Sequence, residues 1–282
     1  MPTFDTPEPI TAELDLVVAE VRVTADDRRD TVVDVRPSDP SDAADVRAGE
    51  QTRVEYTAGR LLVKTPSQKR LGLFGKPGSI RVTVALPAGS HLRGEASVGA
   101  LHCTGPLGEC RVKISAGDVY VERAAAADLT SGAGAVSADV VAGDAELSTG
   151  SGRIRVRQIG GTARIKNSNG DTWVGEVAGD LRASAANGHI RVDRAHGSVN
   201  ATSANGDLHA GDLVRGTTSL RTSAGEIEIG IHSGTAARLD VSTKFGRVEN
   251  QLAATDRPEP SDETLDVRAS TSFGDIVIRR AA

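Results

Sequence analysis

Two aspartates and one histidine recur at a fixed spacing in this chain, and they are the residues best suited to acid–base chemistry. Asp171, His189 and Asp207 each follow a glycine and recur with an 18-residue period. Glycoside hydrolysis needs two carboxyl groups about 5–5.5 Å apart for retention of configuration, or about 6.5–9.5 Å apart for inversion. If each 18-residue interval is one coil of stacked parallel strands, the two aspartates lie about 9.6 Å apart. The spacing is therefore compatible with a glycan-binding or glycan-processing face.

A second set of residues at the same spacing points to recognition. Trp173 is the only tryptophan in a chain with 2% aromatic residues. Arg155 and Arg191 fall on the neighbouring coils, where their guanidinium groups would stack on the indole ring as cation–π partners. This outward row is a candidate docking patch for an acidic or amphipathic protein, with Trp173 as the anchor. The sequence favours the alternative, an ordinary surface tryptophan shielded by arginine stems. The predicted binding residues are Tyr120, Arg155, Trp173, Arg191 and His209.

Both rows require a stack of coils, and the spacing of the glycines predicts one. The positions of the glycines that precede a polar–aliphatic pair differ successively by 18, 17, 18, 18, 18, 18, 19, 21 and 28. A nearly fixed period of this kind is the signature of a repeat architecture. The turn glycines are Gly99, Gly117, Gly134, Gly152, Gly170, Gly188, Gly206, Gly225, Gly246 and Gly274.

The residues around each glycine predict strands. Two positions after the glycine stands a branched aliphatic in nine of the ten coils, and Thr172 is the exception. Polar residues alternate with these positions, which indicates strands with one buried face. Two short strands cannot bury themselves, so each coil needs its neighbours. We predict an all-β fold, a parallel β-solenoid (β-helix) of about ten 18-residue coils, whose narrow interior explains the scarcity of aromatic residues.

The two ends of the chain depart from the repeat. Residues 1–90 are predicted to form an irregular β-rich N-terminal cap, and residues 91–282 the solenoid, together one continuous structural unit. Residues 36–50 are predicted as a polar loop, and residues 67–78 as a loop that exposes Leu73 and Phe74. A further loop, 254–264, separates the last two coils. Phe245 and Phe273 precede the last two glycines, and we expect them to plug the C-terminal end of the interior. Such a plug argues against self-assembly through stacked solenoid ends.

The repeated Asn-Gly pairs are interpreted as turns. Asn169, Asn187 and Asn205 each precede a turn glycine, and Asn-Gly suits tight turns that need a positive φ. A ladder of asparagines that binds an ion or a glycan is the alternative. The turn interpretation is favoured because alanine occupies the same position in three other coils, at Ala116, Ala133 and Ala224.

Composition and the missing motifs limit the function classes. The net charge of −5 and the pI near 5.7 give no bulk attraction to nucleic acid. No signal peptide or membrane span is recognisable, which predicts a cytoplasmic protein without membrane insertion. Cys103 and Cys110 are predicted as buried thiols of a reducing compartment. We expect no catalytic residue, no metal and no cofactor. The expected partner is an unidentified protein, and a monomer is favoured.

One short sequence pattern recurs along the chain and resembles the pattern of a known family. Stretches such as "ISAGDVYV", "NSNGDTWV" and "TSANGDLHA", with the terminal "SFGDIVIRR", follow a small residue, glycine, an acidic residue and alternating aliphatics. Over residues 10–280 the chain resembles a bacterial family of β-strand-repeat proteins labelled "putative adhesin", a domain of unknown function. The resemblance implies the solenoid fold and assigns no activity. The sequence therefore predicts a non-enzymatic repeat scaffold with a rigid surface for adhesin-like or regulatory protein binding.

Overall fold

The computed structural model describes residues 1–66, 78–253 and 263–281, and it divides into two compact units, 1–138 and 139–282. The predicted loop at 67–78 with Leu73 and Phe74, and most of the predicted loop at 254–264, lie outside the described residues. Strand β9 (Val136–Val141) crosses the boundary between the units. The first unit thus contains both the irregular N-terminal strands and the first coils.

The first unit is built around two long strands that lie side by side. Its elements are β1 (Thr3–Asp5), β2 (Thr11–Asp26), β3 (Asp30–Pro37), α1 (Ala43–Gln51), β4 (Arg53–Thr57), β5 (Arg60–Lys64), β6 (Ile80–Pro87), β7 (His91–Ala116) and β8 (Val119–Ala133). β2 pairs in parallel with β7 on one side and with β5 and β6 on the other. β7 pairs in parallel with β8, which sets Leu101 opposite Val119 and Cys110 opposite Ala127. The solenoid pattern therefore begins in the N-terminal segment itself.

Antiparallel strands close the first unit. β3 pairs antiparallel with β6 and β1, and β4 pairs antiparallel with β5. These strands cover ladder edges that would otherwise be unpaired, which is the protection that sheet edges require.

The prediction of a polar loop at 36–50 is wrong, because α1 occupies part of it. The Asp42 side chain caps the helix by accepting a hydrogen bond from the Ala44 amide at 2.7 Å. Asp45 is buried and accepts hydrogen bonds from the amides of Asp39 and Ser79 at 3.0 and 2.6 Å. The alanines between these two aspartates favour the helix.

The second unit consists of two parallel ladders. Its strands are β10 (Ala145–Ser151), β11 (Ile154–Ile159), β12 (Ala163–Asn169), β13 (Thr172–Val177), β14 (Leu181–Asn187), β15 (Ile190–Ala195), β16 (Val199–Asn205), β17 (Leu208–Leu213), β18 (Gly216–Ala224), β19 (Ile227–Ile231), β20 (Thr235–Phe245), β21 (Val248–Asn250), β22 (Glu263–Phe273) and β23 (Ile276–Arg280). Even-numbered strands pair with one another from β10 to β18, and odd-numbered strands from β11 to β19. Paired residues are one 18-residue period apart up to β16 and β17, as Ile190 and Leu208 are. The next coil follows at a 19-residue period, as Leu208 and Ile227 show. The parallel β-solenoid predicted from the repeat is confirmed.

The last coils do not stack in chain order. β22 pairs with β18 on one side and with β20 on the other, and β23 likewise lies between β19 and β21. The final stretch of chain, 263–280, therefore forms the last coil but one. The preceding stretch, 235–250, forms the terminal coil.

The turn glycines hold the coils in register. Nine of the ten have φ between +130° and +153°, a region that other residues rarely adopt. A Cβ atom at Gly188 would overlap the carbonyl oxygen of Gly170 on the preceding coil. Glycine is required here both by the backbone angle and by the close approach of the stacked turns.

The expected aromatic plug is wrong. Phe245 and Phe273 stack on each other, with ring centroids 5.0 Å apart, and are 66% and 58% exposed. They occupy the position directly before the turn glycine, where Ala224 and Asn205 stand in earlier coils. This position faces outward at the turn, so a side chain there cannot fill the interior.

Candidate functional site

One outward row of the second unit carries most of the predicted binding residues. The register of β11, β13 and β15 places Arg155 and Arg191 on the two strands beside Trp173. His209 and Glu228 continue the row on β17 and β19. We call these five residues the Trp173 row.

Trp173 is held in one orientation by contacts on three sides. The Cζ atom of Arg155 lies 4.8 Å from the centre of the ring, which is a cation–π contact. The indole Nε1–H donates to Oδ2 of Asp193 at 3.0 Å. The ring also covers Gly175, where an added Cβ would lie only 3.2 Å from Cη2. The half-buried indole is therefore a pre-organised apolar surface, and binding it costs little side-chain entropy.

Arg191 faces Asp193 instead of the indole ring. Its Nε donates to Oδ1 of Asp193 at 2.7 Å, while the other carboxylate oxygen accepts from Trp173. Sequence reasoning missed Asp193, although its place two positions after Arg191 puts it on the same outward face. One carboxylate thus neutralises one of the two arginines that flank the tryptophan.

The other arginine stays unneutralised. Arg155 and Arg157 are both exposed on the outer face of β11, and neither forms an ion pair with another described residue. The arginine end of the Trp173 row is therefore locally positive although the chain as a whole carries a net charge of −5.

The other end of the row is self-neutralised. Nδ1 of His209 lies 2.7 Å from Oε2 of Glu228, and Arg279 donates to Oε1 of the same carboxylate at 2.6 and 2.8 Å. Burial raises the pKa of Glu228, but the hydrogen bonds from Arg279 and His209 outweigh it and leave the pKa below its usual value. His209 is therefore part of an ion-pair network with Glu228 and Arg279.

Tyr120, the remaining predicted binding residue, belongs to the first unit. It lies opposite His102 in the pairing of β7 with β8, and the two rings stack with centroids 4.6 Å apart.

The acid–base candidates form a column at the turns. Oδ1 of Asp171 accepts from the His189 amide at 3.1 Å, and Nδ1 of His189 accepts from the Asp207 amide at 3.0 Å. Asp207 in turn accepts from the Glu226 amide at 2.8 Å. Nδ1 of His189 is also 3.1 Å from Oδ2 of Asp207. We assign the nitrogen as an acceptor because a backbone amide can only donate. These side chains join each turn to the next.

The asparagines of the Asn-Gly turns form a ladder of their own. Nδ2 of Asn187 donates to Oδ1 of Asn169 at 2.9 Å, and Nδ2 of Asn205 donates to Oδ1 of Asn187 at 2.9 Å. Their amides thus satisfy one another along the stack.

A further repeated position lies three places before the turn glycine. Where its side chain is polar, it points inward and donates to the carbonyl of a turn glycine on the preceding coil, as Ser203 does to Gly188 and Thr222 to Gly206. Asn167 donates to the carbonyls of Gly152 and Gly170 at 3.0 and 2.8 Å. In the sequence, this hydrogen bond is marked by a small polar residue at an otherwise apolar strand position.

The second turn of each coil also has a repeated polar residue. Oδ1 of Asp144 accepts from the amide and hydroxyl of Thr162 at 2.8 and 2.9 Å, and Oδ1 of Asp180 accepts from the Ser198 amide at 2.8 Å. These hydrogen bonds lower the pKa of Asp144. Gly-Asp, Gly-Thr and Gly-Ser pairs at 18-residue spacing mark this turn.

The two cysteines are buried free thiols, as the sequence predicts. A hydrogen bond with Cys110 and burial both raise the pKa of Cys103 well above its usual value. Thiols in this state are poor nucleophiles.

None of the helices among the described residues has the length and apolar character needed to cross a membrane.

Known structures of similar proteins include one "putative adhesin" from Bacteroides fragilis. It is 12% identical, with 99% of this chain and 95% of that chain covered and a TM-score of 0.32. A "putative cell adhesion protein" from Clostridium sporogenes is 11% identical over 99% and 98% of the two chains, with a TM-score of 0.23. A "putative lipid binding protein" from Parabacteroides distasonis is 13% identical over 99% and 96%, with a TM-score of 0.40.

No curated protein matches the chain. The model of the family Toastrack DUF4097 matches residues 13–279.

Proposed function

The chain belongs to the Toastrack DUF4097 family, a domain of unknown function, and from this premise we propose that it is a non-enzymatic scaffold whose Trp173 row binds another protein. The observation that carries the proposal is the fixed, half-buried indole beside two exposed arginines, Arg155 and Arg157, without ion-pair partners among the described residues. Aromatic anchors beside arginine are typical of the residues that dominate binding energy at interfaces.

The chemistry of the row favours an acidic or amphipathic partner. An acidic side chain of the partner would pair with Arg155 or Arg157, and an apolar side chain would cover the indole. Regularly stacked coils hold these groups at about 4.8 Å intervals, so the face needs little ordering on binding.

Substitution of Trp173 tests the proposal. We expect Trp173→Ala to weaken capture of the native partner from lysate, and to raise the Kd of that partner once purified, at least about tenfold. Trp173→Phe keeps a ring over Gly175 and should retain most of the binding. Arg182→Ala, on a strand of the other ladder, is the matched surface control. Unchanged binding by a folded Trp173→Ala protein would overturn the proposal.

A glycan-binding or glycan-processing face at Asp171, His189 and Asp207 receives less support. Each of these side chains already accepts a hydrogen bond from the backbone of the following coil. Turnover of a glycan, or a change in Trp173 fluorescence on adding one, would favour this alternative.

We also propose a cytoplasmic location, because both cysteines are buried free thiols. Cell fractionation of the native host tests it.

A further inference from the structure

The terminal coil of the second unit has one edge that no described strand covers. Within the described ranges, β20 pairs only with β22, and β21 pairs only with β23. The opposite edge of β20, Thr235–Phe245, therefore has no strand partner among the described residues. A long open edge of this kind is a template for pairing with another chain.

The terminal coil also exposes residues that inner coils bury. Val248 is 43% exposed, whereas Ile227 and Ile276 at the same position of neighbouring coils are fully buried. Leu239 and Val241 are only half-buried. A cleft of about 490 Å³ opens beside this strand and is lined in part by Leu239, Asn250 and Leu252. Apolar surface next to an open strand edge is a strong candidate for an interface.

We propose that this edge pairs with the same edge of a second copy of the chain. In the arrangement we infer, β20 lies antiparallel to β20 of the second copy, and the twofold axis passes beside Leu239. Ala237 then faces Val241 of the second copy on the interior side. The sequence favoured a monomer, in part because Phe245 and Phe273 were expected to plug this end, and both are exposed.

The charges of β20 select this register. With the axis at Leu239, Arg238 lies opposite Asp240 of the second copy, and the symmetry repeats the pair. A shift of the axis to Asp240 sets two aspartates against each other, and a shift to Val241 sets Arg238 against Lys244. Opposite charges directly across a strand pair stabilise it and like charges destabilise it.

The same charges continue a row within the chain. In the pairing of β20 with β22, Arg238 lies opposite Asp266 and Asp240 lies opposite Arg268. Across the proposed interface the row alternates in sign from Asp266 through Arg238 to Asp240 and Arg268 of the second copy. No ion pair joins Arg238 or Asp240 to another described residue, so both are available.

Charge reversal tests the proposal. We expect the full chain to be a dimer by multi-angle light scattering and sedimentation. R238D and D240R should each raise the dimer dissociation constant at least about tenfold, because each replaces two attractive pairs by two repulsive ones. An equimolar mixture of the two variants should form a heterodimer, since every acidic position then meets a basic one. The double variant R238D/D240R should dimerise again.

Two outcomes would overturn the proposal. One is a full chain that stays monomeric up to about 100 µM, which would show that this edge is covered from within the chain or by a different protein. The other is a dimer that both single variants leave unchanged, which would place the interface elsewhere. Thermal unfolding controls for the internal neighbours Asp266 and Arg268, because each single variant mismatches one of them and the double variant mismatches both. Binding at the Trp173 row is measured separately with Trp173→Ala.

Discussion

The turn glycines show most directly how single residues determine this fold. Nine of the ten turn glycines adopt a positive φ, and the absence of a side chain lets the carbonyl of one coil approach the Cα of the next. Two different requirements thus coincide at one position, and no other residue satisfies both.

We predict that Gly188→Ala lowers the free energy of unfolding by about 3 kcal/mol or more, because the new Cβ meets the Gly170 carbonyl at an unfavourable φ of +139°. Gly234→Ala is the matched control. Its φ is +85°, but a Cβ there has nothing within 4 Å, so only backbone strain of about 1–2 kcal/mol is expected. Urea unfolding measures both. Equal losses would mean that the stacking contact contributes nothing.

Glu228 should make the protein sensitive to acid. Its folded pKa is lowered by Arg279 and His209 in spite of burial. A carboxylate with a depressed folded pKa contributes stability above its unfolded pKa of about 4.3, and the contribution is lost as the pH falls through the folded value.

We therefore expect Glu228→Gln to be less stable than the natural chain at pH of about 6, and the difference to shrink towards a pH of about 3. Chemical unfolding at a series of pH values measures it. Glu146→Gln, at an exposed position without an ion pair to any described residue, is the matched control. A difference that is constant with pH would show that the Glu228 network does not titrate as described.

At the scale of elements, the order of the last coils departs from the order of the chain. β22 and β23 lie between the coil of β18 and β19 and the coil that directly precedes them in sequence. The terminal coil is consequently held by the last residues of the chain.

Truncation after Ala253 tests this arrangement. Without β22 and β23, strands β20 and β21 lose the only strands that pair with them among the described residues. We expect residues 235–252 to become sensitive to limited proteolysis, and the truncated protein to melt at the same temperature as a chain that ends at His232. Protection of 235–252 would instead mean that β20 can move onto the edge of β18.

The helix α1 shows that a polar stretch of sequence does not always form a loop. The cap at Asp42 is a local contact, whereas Asp45 supports the helix through the Ser79 amide, which belongs to a distant segment. Only the fold brings those residues together.

At the scale of the whole molecule, the repetition of one coil pattern explains why the solenoid fold was predictable from the sequence. The binding properties of its surface were less predictable. Every coil repeats the same strand pattern, so evidence for the fold accumulates over the chain. Outward-facing residues vary from coil to coil. The Trp173 row stands out in the sequence only because its central residue type is rare. The net charge of −5 also conceals the positive end of that row, since Arg155 and Arg157 lack the carboxylate that neutralises Arg191.

The sequence by itself determined the period, the alternation of buried and exposed positions and the place of each turn glycine. These depend on local backbone geometry and on neighbours one coil away, and both are repeated in the chain. Only the tertiary structure decided the position of β22 between β18 and β20, the exposure of Phe245 and Phe273, and the choice of Asp193 as the partner of Trp173 and Arg191. Each of these features depends on which coil a segment or side chain packs against. Because the sequence repeats, several coils present nearly the same residues, and the sequence does not distinguish between them.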